Sequence, residues 1–433
     1  MKIESEKFKN VTIGFYPPFV NLSDSGRTII IAKRYRELGG KAIFFSNGGK
    51  YEFLAEKNGF DLIKVEPEMT DKQRDIFFKV VSGERVPADE FLEEKWLTET
   101  VAGQIKAFKK TGIKALVTAN NVSCALSTRA ANVTYINIMP ACGACRLKFP
   151  EDLENIFTRL VPQKIKMELL NWIFVTTKRY LKQINRVGKK FDVPPFKNSF
   201  DLFKGDISFM TNALVFLTIF RYHRKFPDED YIGMILIEEL FEEENKSKES
   251  QNLDKKIRSH IKRPGKSILL SLGSSGTKDI YLKILDALNQ TNYNVVASHA
   301  GIFDDNFKPN YNDNILLVKY IPNIRKINEL VDLAILHGGQ GTVYTAVYSK
   351  KPMIGIPMHI EQHLNLERIV GHGMGLMLSK KYFTKEKLFN AINEIFNNYE
   401  KYHNNAIQLG NKMPSPEGDK KAAKRLVEIA NNL

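Results

Sequence analysis

Cysteine is nearly missing from this chain: Cys124, Cys142 and Cys145 are the only three in 433 residues. That is too few for a disulfide framework and predicts a reducing, cytoplasmic setting. Long hydrophobic runs are missing as well. Segments such as ALVFLTIF from Ala213 fall well short of the roughly 20 residues that a membrane-spanning helix needs. The N-terminal MKIESEKFKNVTIGFYPPF has no apolar core followed by small residues, so no secretory signal peptide is expected. Histidine is absent from the first 222 residues, since all eight lie at or beyond His223. A histidine base from that half is therefore excluded. Negative charge is also in deficit, with 64 Lys+Arg against 49 Asp+Glu and a net charge of +15. Such an excess suits an anionic partner, whether phosphorylated substrate, acidic membrane surface or nucleic acid, or simply a soluble lysine-rich surface. Charge alone does not choose among them.

What the chain has in quantity is a βα rhythm, stated twice. NVTIGFYPPFV reads as a strand running into a Pro-containing loop, and GRTIIIAKRYRELGG as a helix stopped by Gly39-Gly40. KAIFFSNGG, KYEFLAEKNG, FDLIKVEPE, IKALVTANN, CALSTRAANV and TYINIMPA continue the alternation. After Gly233 the charged stretch LIEELFEEENKSKESQNLDKKIRSHIKRPG closes on Pro264-Gly265 and reads as a linker or long surface loop. The rhythm then restarts with KSILLSLGSSGT, KDIYLKILDALNQ, YNVVASHAG, NILLVKYIP, IRKINELV, DLAILHGG and KKPMIGIP. This predicts an α/β protein of two doubly wound, Rossmann-like domains about a central cleft, with ligands at the carboxyl ends of the strands. The expected boundaries are residues 1–233, a linker over 234–265, a second domain over 266–410 and a C-terminal helix over 411–433. That last helix is expected to pack back towards the first domain.

Two strand ends in the second half carry anion-binding chemistry. In DLAILHGGQGT a buried strand ends at His337, and Gly338, Gly339 and Gly341 let the backbone approach an anion closely. A helix starting near Thr342 would aim free N–H groups and its positive dipole end at the same place. LGSSGT at 272–277 offers a second loop of this kind, with Ser274, Ser275 and Thr277 as donors. One such loop alone is more often a tight βα turn; two in one domain suit a diphosphate.

From His337 onward the chain resembles the donor-binding signature of GT-B glycosyltransferases of the UDP-glycosyltransferase superfamily, including macrolide and glycopeptide antibiotic enzymes. The matching residues are His337, Gly338, Gly339, Gly341, Thr342, Ala346, Pro352, Pro357, Glu361, Gln362 and Asn365, and GHGMGLML closes the pattern. NILLVKYIPN, SILLSLGSSG and DYIGMIL are similar to further family segments. The resemblance implies a nucleotide-sugar donor in the second domain. Ser274, Ser275, His337, Gly339, Gln340, Gly341 and Thr342 would hold its diphosphate. Tyr320 would stack on the base with the Ile321 backbone at the base edge, and Thr345 would face the ribose. Glu361 and Gln362 would bind the sugar hydroxyls. Many members have Glu at the Thr345 position, and a single hydroxyl cannot accept from both ribose hydroxyls as a carboxylate can. UDP-sugar is the default donor and dTDP-sugar the second option.

The usual family histidine base has no counterpart. Aligning IAKRYRELGGKAIFF on the family pattern sets SDSGRT over the base motif and Asp24 over its histidine. The glycopeptide-antibiotic branch carries an Asp base there. Asp24 is the candidate general base; its alternative role is to cap the following helix, among Ser23, Asp24 and Ser25. CGAC at 142–145 is a single pair without partners, so a cleft-lining loop is expected rather than a zinc or redox site. RLVPQKIKMELLNWIFVTTKRYLKQINRVGKK is basic, amphipathic and aromatic. It suits either the surface of an anionic membrane or a helical lid.

These readings predict an inverting hexosyltransferase that needs neither metal nor cofactor. It would act on a lipid or small-metabolite hydroxyl, in the cytoplasm or on the inner face of the membrane, without nucleic acid. The alternatives are a sugar-nucleotide epimerase of the same fold and an inactive auxiliary protein.

Overall fold

The computed structural model describes residues 11–81, 86–139, 158, 160–176, 178, 180–213, 230–273, 276–304, 307 and 309–433. Two six-stranded sheets organise them, each with every strand pair parallel. The first contains β1 (Thr12–Phe15), β2 (Lys41–Ser46), β3 (Leu62–Lys64), β4 (Ala115–Thr118), β5 (Thr134–Met139) and β6 (Ile207–Met210). The second contains β7 (Ser267–Ser271), β8 (Asn294–Ser298), β9 (Ile315–Val318), β10 (Leu333–Leu336), β11 (Met353–Gly355) and β12 (Gly375–Met377). Their orders are β3-β2-β1-β4-β5-β6 and β12-β11-β10-β7-β8-β9, so each reverses direction once. The switch points fall between β1 and β4 and between β7 and β10, where a doubly wound sheet opens a crevice for ligands. Both central pairs are apolar and sealed from solvent, as burial on two faces requires.

Seven helices position the site or bear on the surface around it. They are α1 (Leu22–Glu37), α2 (Gln163–Thr176), α3 (Leu181–Lys189), α4 (Lys248–Ile261), α5 (Gln340–Tyr348), α6 (Ile360–Gly371) and α7 (Gly418–Asn432). The charged segment read as a linker is a helix in its later part. Ser247 caps α4 by accepting from the Ser250 N–H at 3.2 Å, and Leu253, Ile257 and Ile261 pack with Leu269 and Val296 of the second sheet. Its apolar residues are few but recur every fourth position, which puts them on one face. Charge content hid that period.

Helix α7 belongs to the first domain's core although it ends the chain. Ala422, Leu426 and Ala430 pack among Ile29, Ile30 and Phe15. The two strands of chain joining the domains run side by side at the hinge. Ile235 forms an antiparallel bridge with Glu417, and the Gly418 N–H donates to the Met234 carbonyl at 3.0 Å. Arg34 of α1 ties this crossing together, bonding Asp419 at 2.7 Å and also Glu239.

Candidate active site

The domains face each other across a cleft of about 1530 Å³, lined from both sides by residues that include Arg27, Lys50, Lys278, Lys319, Tyr320 and Thr345. The second-domain side is lined by Ser271 and Ser298 at the ends of β7 and β8 and by Gln340 to Thr342 at the start of α5, which follows β10. There His337 lies against two glycines: a Cβ on Gly273 would come within 2.7 Å of the imidazole, and one on Gly339 within 2.3 Å. Gly338 has φ +90° and its own Cβ would strike the Gln362 carbonyl at 2.7 Å, so only glycine fits.

Helix α5 starts with Gly339 as its N-cap and no side chain satisfying its first turn. Its first backbone bond runs from the Val343 N–H to the Gly339 carbonyl at 3.0 Å. The amides of Gln340, Gly341 and Thr342 therefore precede the helical ladder and point out of its positive end. Around Gly341 the position of a Cβ is open, with nothing within 4 Å. The Thr342 hydroxyl donates to the Gly339 carbonyl at 3.0 Å, and the Thr345 hydroxyl donates to the Gly341 carbonyl at 2.8 Å. Both can still accept. Ser274 and Ser275 lie outside the described residues, as do Cys142 and Cys145.

His337 is buried, and this drives its pKa down to about 4; the neighbouring His359 pushes the same way, while the Ser271 backbone partly opposes it. A neutral imidazole with one N–H is what a phosphate oxygen can accept from. Burial likewise lowers His359 to about 4, helped by Lys380. Both groups take up protons on unfolding between pH 4 and 6.5, so the folded state loses stability as pH falls through that window. The expected loss from His337 alone is about 2 kcal/mol between pH 7 and pH 4.5. Urea unfolding at the two pH values, on the parent and on His337→Gln, measures it; an equal acid loss in both removes His337 as the cause.

Asp24 is buried at 4% exposure and is not the helix cap. Asn21 holds that place, its Oδ1 accepting from the Asp24 N–H at 2.8 Å. The Asp24 carboxylate accepts from Asn21 Nδ2 at 2.9 Å and from Asn120 Nδ2 at 3.5 Å, and pairs with Arg27 at 2.7 Å. Arg27 then crosses between domains to donate to Gln340 Oε1, which also accepts from the Thr211 hydroxyl at 3.1 Å. The Gln340 amide returns a bond to the Thr211 carbonyl at 2.9 Å. So the Gln340 side chain binds the first domain, and its backbone amide stays at the open start of α5. Tyr344, one turn on, accepts from Asn212 Nδ2 at 3.2 Å and from the Ala213 N–H at 3.1 Å. Tyr348, a further turn on, donates to the Pro414 carbonyl at 2.8 Å. This i, i+4, i+8 stripe fastens α5 to the first domain and the hinge.

Glu361, at the start of α6, reaches the same place. Burial raises its pKa, the Arg27 charge lowers it, Asp24 raises it and a hydrogen bond from Asn365 lowers it. Asp24 and Arg27 of the first domain thus both act on the Glu361 carboxyl of the second. Asn365 also donates to the Gly338 carbonyl at 3.1 Å, locking α6 to the glycine loop. Gln362 is buried, and its Oε1 accepts from the Met358 N–H at 2.8 Å; that oxygen shapes the loop. Tyr320 is 58% exposed on the rim beside Ile321, an aromatic face presented to solvent. Arg27, Asn120 and Thr211 escaped sequence reading. Only Arg27 carried a signal, lying three residues after Asp24 on a helix.

Two Rossmann-like domains with this cleft between them are the GT-B architecture. Solved structures share it: the calicheamicin glycosyltransferase CalG4 superposes with a TM-score of 0.63 at 13% identity, covering 98% of this chain and 99% of that one. The glycosyltransferase SnogD from Streptomyces nogalater does so with a TM-score of 0.62 at 15% identity, covering 98% and 100%. The family model described as UDP-glucoronosyl and UDP-glucosyl transferase matches residues 147–413, and the chain belongs to that family. Among curated proteins it is similar to UDP-glucuronosyltransferase 2B17 of Rattus norvegicus, 30% identical over 193 residues, which are 43% of this chain and 34% of the relative. It is also similar to 2-hydroxyacylsphingosine 1-beta-galactosyltransferase of Homo sapiens, 25% identical over 225 residues, 50% of this chain and 38% of the relative. The matches span little more than a third of those relatives' length.

Proposed function

We propose that this protein is an inverting glycosyltransferase that moves a hexosyl group from a nucleoside diphosphate sugar to an acceptor hydroxyl. The observation that carries the reading is the bridge from the first-domain carboxylate of Asp24 through Arg27 to Gln340, at the uncapped start of a second-domain helix. In this reading the amides of Gln340 to Thr342 and the His337 imidazole hold the diphosphate, and Glu361 holds sugar hydroxyls. Tyr320 receives the base. Asp24 takes the proton of the acceptor hydroxyl as its oxygen bonds to the anomeric carbon and the bond to the diphosphate breaks. The helix start and the cleft cations meet the charge that develops on the leaving diphosphate, without a metal or other cofactor. Thr345 offers no carboxylate to the ribose, which leaves UDP-sugars and dTDP-sugars as the donors to compare. A lipid hydroxyl is the favoured acceptor class, in keeping with the acylsphingosine named for one relative.

The test is a panel of UDP- and dTDP-sugars, read by thermal shift and by nucleotide release. A binding donor at 100 times its Kd adds about 2.7 kcal/mol to stability, and slow release of its nucleoside diphosphate is expected even without acceptor. Change of the sugar with the nucleotide linkage kept would mark an epimerase. Indifference to every compound would end the proposal.

A further inference from the structure

Helix α2 carries four large apolar side chains on its outer face: Trp172 is 63% exposed, Ile165 58%, Leu169 54% and Ile173 47%. Their spacing, i, i+4, i+7 and i+8, puts them on one stripe, and Lys166 at its border is buried. Apolar residues scattered singly on a surface need no explanation, but a continuous helical stripe does. Its setting is basic. Between residues 159 and 190 the chain has nine Lys or Arg and one Glu. Lys164 on α2, Lys178 after it, and Lys182 and Lys189 on α3 are exposed, with no ion pair among the described residues. Arg186 and Lys190 are neutralised by Glu94, at 3.1 and 2.9 Å.

We infer that α2 and the adjoining end of α3 form a docking surface for an anionic phospholipid bilayer. The combination is what such a surface complements. Apolar side chains enter the acyl boundary, an indole sits at the headgroup level, and lysines reach phosphates from either flank. Fourteen residues of helix are too short to span a bilayer, so α2 lies in its plane. An acidic protein would meet the lysines but leave the wide apolar stripe wet, and a second copy of this basic chain would bring like charges together. The inference does not rest on the donor-site reading, and its test does not use the donor.

Trp172 supplies the probe, because the only other tryptophan in the chain is Trp96, which is partly buried. The intact protein is titrated with vesicles of phosphatidylcholine, with and without 30 mol% phosphatidylglycerol. Emission should move to the blue and the protein should co-sediment with the anionic vesicles at least tenfold more strongly than with the neutral ones. Raising the salt to 0.5 M should weaken binding by about tenfold. The paired substitution Ile165→Asn and Leu169→Asn changes only exposed positions and should abolish the blue shift with the thermal melt unaltered. The paired substitution Lys164→Glu and Lys182→Glu should remove the preference for anionic lipid. Three outcomes overturn the inference: no binding to anionic vesicles, binding that the Asn pair leaves intact, or lipid-free self-association by sedimentation velocity that the Asn pair abolishes.

Discussion

Asp24→Asn should cut turnover by about 10²- to 10⁴-fold, the usual worth of a positioned general base, while donor affinity stays within about threefold. The substitution is nearly isosteric. An Asn oxygen at this place can still accept from Arg27, at the cost of the bond from Asn21, which uses the other carboxylate oxygen, and the cap of α1 is untouched because it uses the Asp24 backbone N–H. Arg27 keeps its bonds to Gln340 and to the Ser23 carbonyl. What the variant lacks is a group able to take a proton from the acceptor. Rate of nucleotide release at saturating donor, set beside donor affinity by calorimetry, separates the two roles. Were Asp24 a structural residue only, melting temperature and donor affinity would fall with the rate, or the rate would survive.

Gly341→Asp should weaken donor binding by about a hundredfold while leaving the melting temperature unchanged or slightly raised. A Cβ at this position meets nothing within 4 Å, so there is no clash to unfold the loop. A carboxylate in the first turn of a helix is favoured by the dipole by about 0.3–1 kcal/mol, and losing a helical glycine adds a similar gain. The same charge would lie some 5 Å from the bound diphosphate, where repulsion is about 3 kcal/mol at an effective dielectric of 20. Gly341→Asn, with the same shape and no charge, should lose far less. If the Asp variant bound nucleotide sugar as tightly as the parent, the diphosphate could not be sitting at the start of α5.

The glycine loop and the helix start after β10 were legible because their geometry is local. His337, the glycines after it and Thr342 occupy consecutive positions at a strand end, and the geometry of a strand–loop–helix unit follows from such neighbours. The roles within that motif were less legible. Gln340 reads as a phosphate ligand by position, yet its side chain turns to Thr211 and Arg27 on the other domain. Gln362 reads as a sugar ligand, yet its oxygen holds the Met358 N–H. A residue's place in a motif says where its backbone lies, and the partners of its side chain depend on what packs against it.

The sequence by itself determined the two βα repeats, the glycine loop at β10 and the absence of any histidine from the first 222 residues. These are matters of period, composition and neighbouring residues. The tertiary structure alone decided that Arg27 and Gln340, 313 positions apart, would clasp, and which residues of the first domain's core the last helix would meet. No local pattern records such pairings, because they arise only when two separately folded sheets bring their carboxyl edges together and the chain returns to close the hinge.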